Sequence, residues 1–253
     1  MKYILPAINP KKEKKQIAQF IKQTLKKEGF KKVIIGASGG IDSTTSLYLL
    51  KEAMPLKNIF PVHLYYFNPD LEFEENVYRL SIKSVVDKLA KVLGVEPLKN
   101  ESSKIRLGNI MARVRMLFLY DLAKKHNALV CGTENRSEYH LGYFTRFGDE
   151  ASDIEPIQHL YKTHVYQLAS YLGVPKTVID KKPTAGLWTE QTDEGEFGFS
   201  YKEADPVLYL YFDKKTPLEE IKKKGFKNAE KIINFALKNQ YKHHAPHSIN
   251  QSS

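Results

Sequence analysis

A short apolar run, Val33-Ile34-Ile35, breaks off at Gly36-Ala37-Ser38-Gly39-Gly40-Ile41-Asp42-Ser43, and helical periodicity takes over across 42–54. A strand that passes through a Gly/Ser turn straight into a helix leaves the first helical N–H groups without intrahelical partners. Those groups and the helix dipole favour an anion. Glycine lets the backbone turn tightly and approach a ligand closely. Ser38 and Ser43 add hydroxyls, and Asp42 stands in the first turn, where an acid is favoured. No Lys closes the loop, so it is not the P-loop of ATPases. Two plainer readings fit the same residues: a Gly-rich turn without a ligand, and Asp42 as a helix cap.

The alternation continues along the chain. Ile17, Phe20, Ile21, Thr24 and Leu25 recur at helical spacing within about 11–28, with Gly29 as a stop. Residues 60–65 and 128–131 read as strands, and 74–93 and 109–126 as helices. Strands alternating with helices predict an α/β fold, a doubly wound parallel sheet with helices on both faces. Beyond about residue 133, polar stretches at 141–155 and 182–200 separate helices at 162–172 and 202–212. Helices at 217–224 and 227–241 close the pattern. No repeat or linker interrupts residues 1–253, which predicts a single domain with a mobile polar tail at 243–253. The 182–200 stretch is expected to act as a lid.

Composition excludes several classes. Mean hydropathy is −0.43, and no apolar run nears the roughly 20 residues of a membrane span. The first residues lack the apolar stretch of a signal peptide. A lone Cys131 excludes a disulfide framework within one chain and a multi-cysteine zinc site, so a reducing cytoplasmic setting is expected. The net charge of +10 invites a nucleic-acid reading, but residues 1–32 carry +8 and 214–242 carry +6, leaving 33–213 at −4. Lysines interleaved with apolar residues on a helix read as a solvated face rather than an RNA-binding stripe.

Further motifs follow in order. Asn109-Ile110-Met111-Ala112-Arg113-Val114-Arg115-Met116 lies in the 109–126 helix, and Gly132-Thr133-Glu134-Asn135-Arg136-Ser137-Glu138 follows the 128–131 strand. Gly142-Tyr143-Phe144-Thr145-Arg146-Phe147-Gly148-Asp149, Asp153-Ile154-Glu155-Pro156-Ile157 and Leu160-Tyr161-Lys162-Thr163 come next. Lys182-Pro183-Thr184-Ala185-Gly186-Leu187-Trp188 and Gln191-Thr192-Asp193-Glu194 complete the set. The Ser-Gly-Gly-x-Asp-Ser loop resembles that of the ATP pyrophosphatases. The ordered set as a whole resembles the ammonia-dependent NAD synthetases, closely across 33–212 and more loosely in the C-terminal helices.

That resemblance implies a Rossmann-like adenine nucleotide alpha hydrolase fold and the ATP-dependent amidation of deamido-NAD by ammonia. The nicotinate carboxylate is adenylated, then ammonia displaces AMP; no protein nucleophile is needed. By resemblance, Gly36, Ala37, Ser38, Gly39, Gly40, Ile41, Asp42 and Ser43 hold the pyrophosphate end of ATP. Thr133, Lys162 and Thr184 also contact ATP, Thr133 with the plainer alternative of a helix N-cap. Asp42 and Glu138 are implied Mg²⁺ ligands and, with Lys162, the catalytic set. Arg113, Arg146, Asp153, Tyr241 and Lys242 are implied deamido-NAD contacts, and a homodimer is implied because the family binds deamido-NAD at a two-fold interface. Arg146 stands where the family usually has Lys, Tyr241 where it has His, His63 where it often has Arg, and Gly186 where Asp is usual. A tRNA-modifying ATP pyrophosphatase is the alternative enzyme, resting on the loop and the basic ends alone. A nucleotide sensor without turnover is the alternative from another class.

Overall fold

The computed structural model of the protein describes residues 5–67, 77–96, 99–184 and 191–244. Among them, four strands form one parallel sheet in the order β3-β2-β1-β4: β1 (Lys32–Gly36), β2 (Ile59–Tyr65), β3 (Tyr78–Ser81) and β4 (Ala128–Cys131). The chain winds outward from β1 through β2 to β3, then returns to place β4 on the other side of β1. That reversal opens a crevice beyond the carboxyl ends of β1 and β4, where open α/β sheets bind ligands.

Alternating side chains bury both faces of the sheet. Val33, Ile35, Leu129 and Cys131 pack against α1 (Pro10–Glu28), α2 (Ile41–Ala53) and α6 (Lys162–Leu172). Ile34, Ala128 and Val130 face α3 (Lys83–Val92) and α4 (Glu101–His126). This is the expected double winding. Helix α1 begins at an Asn9 cap that accepts the Lys12 amide at 3.1 Å, with Pro10 in its first turn, and buries Ile17, Ile21 and Leu25. Each such burial contributes about 1.5–3 kcal/mol.

Several predicted boundaries change. The helix expected over 74–93 is a strand, β3, followed by the shorter α3; residues 74–76 lie outside the described residues. Tyr78 to Ser81 are mostly exposed, so no buried periodicity marks them, and they are strand because they pair with β2. Tertiary pairing overrides local pattern at such short edges. The helix expected at 109–126 starts at Glu101, where Asn100 caps it by accepting the Ser103 amide at 2.9 Å.

The C-terminal elements build a third apolar cluster at the end of the sheet. It contains α5 (Arg136–Leu141), α8 (Asp193–Phe197), α9 (Tyr201–Leu208), α10 (Leu218–Lys223) and α11 (Ala229–Asn239). Helix α7 (Lys176–Ile179) follows α6. The helix expected over 202–212 ends its α-helical hydrogen bonding at Leu208 and continues as a π-turn over Tyr209–Asp213. The turn brings Asp213 to Arg136, with which it forms an ion pair. The predicted mobile tail is anchored at its start. His243 packs 4.2 Å from the Tyr139 ring and 5.3 Å from Phe144, and the His244 carbonyl accepts a hydrogen bond from Arg146. Residues 245–253 lie outside the described residues.

His140 stacks on Phe212 in the π-turn, with centroids 4.5 Å apart. Burial, and then the neighbouring Arg136 charge, push its imidazole down to about 4. An unfolded histidine titrates near 6.5, so between these values the unfolded chain binds more protons. Stability is therefore lost as pH falls from about 6.5 to 4. The wild type should lose about 2 kcal/mol more than His140→Phe between pH 7 and 4.5 in urea unfolding. Parallel losses in the two proteins would refute the assignment.

Candidate functional site

The loop between β1 and α2 is held from both ends. The Ala37 amide donates to the Val62 carbonyl at 2.8 Å, and the Ala37 carbonyl accepts from His63 Nδ1 at 2.8 Å. His63, predicted only as a departure from the usual Arg, thus anchors the loop to β2. Ser38 Oγ and Ser43 Oγ share a 2.9 Å hydrogen bond, and Ser43 Oγ also lies 3.1 Å from the Gly40 carbonyl, to which it donates. Gly39 has φ +78°, a conformation that strains a residue with a Cβ. The N-cap of α2 is Gly40, with no side-chain cap, so the first turn keeps its N–H groups turned to the crevice. Asp42 is not the cap; its carboxylate goes elsewhere.

That destination is α5 and α6. Lys162 Nζ donates to Asp42 Oδ2 at 2.6 Å and to Glu138 Oε1 at 3.1 Å. Asp42 and Glu138, far apart in sequence, meet on one ammonium because α2 follows β1 and α5 follows the adjacent β4. Asn135 completes the arrangement. Its Nδ2 donates to Asp42 Oδ1 at 3.0 Å, and its backbone N–H donates to Glu138 Oε2 at 3.4 Å. Its own Oδ1 accepts the Ser137 and Glu138 amides, each at 3.0 Å, which caps α5. Thr133, read as a possible cap, is not one; the cap lies two residues later. The spacing Asn-x-x-Glu at 135–138 is a capping-box signature and was open to reading as such.

Lys162 is 2% exposed. Burial works against its charge, yet Asp42, Glu138 and Asp193 raise its pKa above the ordinary lysine value. Burial raises the Glu138 carboxyl to about 8 against the pull of Lys162, with Asp42 and Asp193 adding to the rise. Asp193 is buried where the Tyr143 and Tyr201 hydroxyls donate to it at 3.3 and 3.1 Å. The Tyr201 ring lies 5.1 Å from Lys162 Nζ. Three acidic side chains thus share the surroundings of a single ammonium, and further positive charge there would favour their ionised forms.

Behind the cluster, Asp205 locks α5 to α6. It accepts from Ser137 Oγ at 2.6 Å, the Thr163 amide at 2.9 Å and Thr163 Oγ1 at 2.7 Å. Ser137 Oγ in turn accepts the Lys162 amide at 2.8 Å. Asp205 and Asn135 thus brace the cluster, and no motif singles out either of them. Gly132, at the end of β4, is required by packing: a Cβ there would come within 1.7 Å of Glu155 Oε1.

The remaining predicted residues form a second group or stand apart. Arg113 Nη2 donates to the Arg146 carbonyl at 3.2 Å. Lys242 Nζ donates to the Gly142 and Phe144 carbonyls at 2.7 and 2.9 Å, and Tyr241 is exposed. These residues border the 142–148 loop rather than the Asp42 cluster. Asp153 Oδ2 accepts the Val130 amide at 2.7 Å, so it holds the edge of β4. Thr184 is exposed beside residues 185–190, which include Gly186 and the middle of the expected 182–200 lid and lie outside the described residues; the lid's later part carries α8, with Phe197 buried. Thr133 is half-buried after β4.

The chain matches the NAD synthase family over residues 13–246. The NH(3)-dependent NAD(+) synthetase of Fusobacterium nucleatum is 37% identical over 252 residues, spanning 94% of this chain and 95% of the relative. Among solved structures, the NMN synthetase from Francisella tularensis is similar with a TM-score of 0.79 and 31% identity, over 96% of this chain and 99% of the other. The NH3-dependent NAD synthetase from Campylobacter jejuni, in complex with the nitrate ion, gives 0.78 and 28% over 96% and 100%.

Proposed function

Because this chain belongs to the NAD synthase family, we propose that it is a ligase that converts deamido-NAD to NAD with ATP and ammonia. The nicotinate carboxylate attacks the α-phosphorus of ATP and pyrophosphate leaves. Ammonia then attacks the acyl carbon, loses a proton, and AMP departs. The observation that carries this reading is the convergence of Asp42 and Glu138 on buried Lys162 at the mouth of the β1–α2 loop.

Each part has a task in that chemistry. The N–H groups of the loop and of the first turn of α2 receive the phosphates of ATP. The Lys162 ammonium balances charge on the departing pyrophosphate, and its anchoring by two carboxylates fixes its position in advance. Thr133 and Thr184 are assigned to ATP. Arg113, Arg146, Asp153, Tyr241 and Lys242 are assigned to deamido-NAD on the family resemblance.

The donor set fits Mg²⁺. Asp42 and Glu138 offer hard oxygens, and among the described residues no group of three or more His, Cys, Asp or Glu side chains forms a self-sufficient metal cage. A cation held by two carboxylates and completed by phosphate oxygens suits Mg²⁺. When bound, the ion supplies charge stabilisation to the leaving pyrophosphate.

Omitting deamido-NAD, ATP, Mg²⁺ or ammonium one at a time should each abolish NAD formation, read by an NAD-specific cycling assay. Product without added ammonium or without ATP would overturn the reading. Similarity to an NMN synthetase makes nicotinate mononucleotide the informative competing acceptor. Turnover with it exceeding that with deamido-NAD would reassign the substrate to the mononucleotide.

The enzyme is proposed to act as a homodimer in the cytoplasm. Leu117, one helical turn from Arg113 on α4, and Phe147, next to Arg146, are exposed apolar side chains suited to burial against a second copy. Sedimentation equilibrium should give twice the 29.1 kDa chain mass, and a monomer at micromolar concentration would refute the dimer. No helix among the described residues is long and apolar enough to cross a membrane.

A further inference from the structure

The two acidic side chains of the site are linked by a closed circuit of hydrogen bonds. Lys162 Nζ spans Asp42 Oδ2 and Glu138 Oε1. On the opposite side, Asn135 spans the other two oxygens, Asp42 Oδ1 through its side-chain amide and Glu138 Oε2 through its backbone N–H. Asn135 is fully buried, and its Oδ1 is tied to the Ser137 and Glu138 amides. Its side chain therefore has one orientation, dictated by the helix cap, and that orientation aims Nδ2 at Asp42.

A cap needs only an acceptor. Ser, Thr and Asp supply one as well as Asn. Ser and Thr hydroxyls also donate, but from the same short-reaching atom that accepts at the cap; Asn carries its acceptor and a separate neutral donor on one planar group. The donor does for Asp42 what a partner outside the coordination shell does for a metal ligand: it fixes the carboxylate's rotation and leaves the remaining lone pairs facing inward. We propose that Asn135 is a positioning residue that sets the mutual orientation of the Asp42 and Glu138 carboxylates and thereby the Mg²⁺ affinity of the site. This inference rests on the reading of those two carboxylates as the metal ligands.

Asn135→Ser separates the two roles, because the serine hydroxyl keeps the cap but sits on Cβ, one bond short of the amide nitrogen that reaches Asp42. Mg²⁺ would be titrated against the full-length protein at fixed α,β-methylene-ATP, which cannot be cleaved at the reacting bond, with the unfolding temperature as readout. The steady-state rate would be followed against Mg²⁺ in parallel. The half-saturating Mg²⁺ concentration should rise 10–100-fold in both titrations, the range seen when such outer partners are removed. Turnover at saturating Mg²⁺ should stay within about threefold of wild type, since no group in contact with substrate has been removed. A role confined to capping would lower the unfolding temperature equally at all Mg²⁺ concentrations and leave the half-saturation point in place, which overturns the proposal. If the variant melts too early for that readout, isothermal titration calorimetry of Mg²⁺ at low temperature measures the same affinity. Asp42→Ala in the same titration tests the underlying reading separately. An unaltered Mg²⁺ response in that variant removes the metal assignment itself, whereas a response lost there and unaltered in Asn135→Ser removes only the role of Asn135.

Discussion

Lys162→Met should cost the protein both its activity and a large part of its stability. Methionine nearly matches the length of the lysine stem but leaves Asp42 Oδ2 and Glu138 Oε1 without the cation that now sits 2.6 and 3.1 Å away. Removing one partner of a buried ion pair while the other charge stays behind typically costs about 3–5 kcal/mol. Losing the ammonium raises the already elevated Glu138 carboxyl further, so its neutral form limits that loss. Urea unfolding at pH 7 gives the stability change. Pyrophosphate release should fall by about 10³ or more, because charge on the leaving group is no longer balanced by a pre-positioned ammonium. Stability within about 1 kcal/mol of wild type together with turnover within tenfold would contradict the account. Lys162→Arg keeps the charge but not the compact fit, and should fall between the two proteins.

Asp42→Ala is expected to separate catalysis from folding. Turnover should fall by about 10³ or more, equivalent to roughly 4 kcal/mol of transition-state stabilisation, because one of only two carboxylates proposed for Mg²⁺ is gone. The fold should survive. Lys162 keeps its contact with Glu138, Asn135 keeps the cap of α5, and Asp42 is not the cap of α2. Loss of one negative charge also relieves the repulsion that helps raise the Glu138 carboxyl. The variant should therefore unfold within a few degrees of wild type by circular dichroism while releasing almost no AMP. Near-normal AMP release would remove Asp42 from the metal site.

Much of the sheet was legible because its strands are buried on both faces. Val33-Ile34-Ile35 and Ala128-Leu129-Val130-Cys131 are continuous apolar runs, and both emerged as strands within a residue of their expected limits. β3 was not legible, because an edge strand with exposed side chains has no apolar signature. The first turns of α4 were missed for a related reason. Polar residues at 101–104 hide the helix, and only the Asn100 cap announces it.

Within the site, the loop at 36–43 and the identities of Asp42, Glu138 and Lys162 could be read from motif and resemblance. Their partners could not. Nothing local to Asn135 says that its amide meets a carboxylate on α2, and nothing local to Asp205 says that it binds Ser137 and Thr163. His63 stands where the family often has Arg, and its ring anchors the β1–α2 loop. Sequence alone determined the elements that bury apolar surface and the residue types that carry the chemistry, because periodicity, caps and glycine turns are local properties of the chain. Only the tertiary structure decided which polar groups share one buried space. Buried polar groups must find partners wherever the fold brings backbone and side chain together, and the reversal of the sheet between β1 and β4 makes those partners distant in sequence.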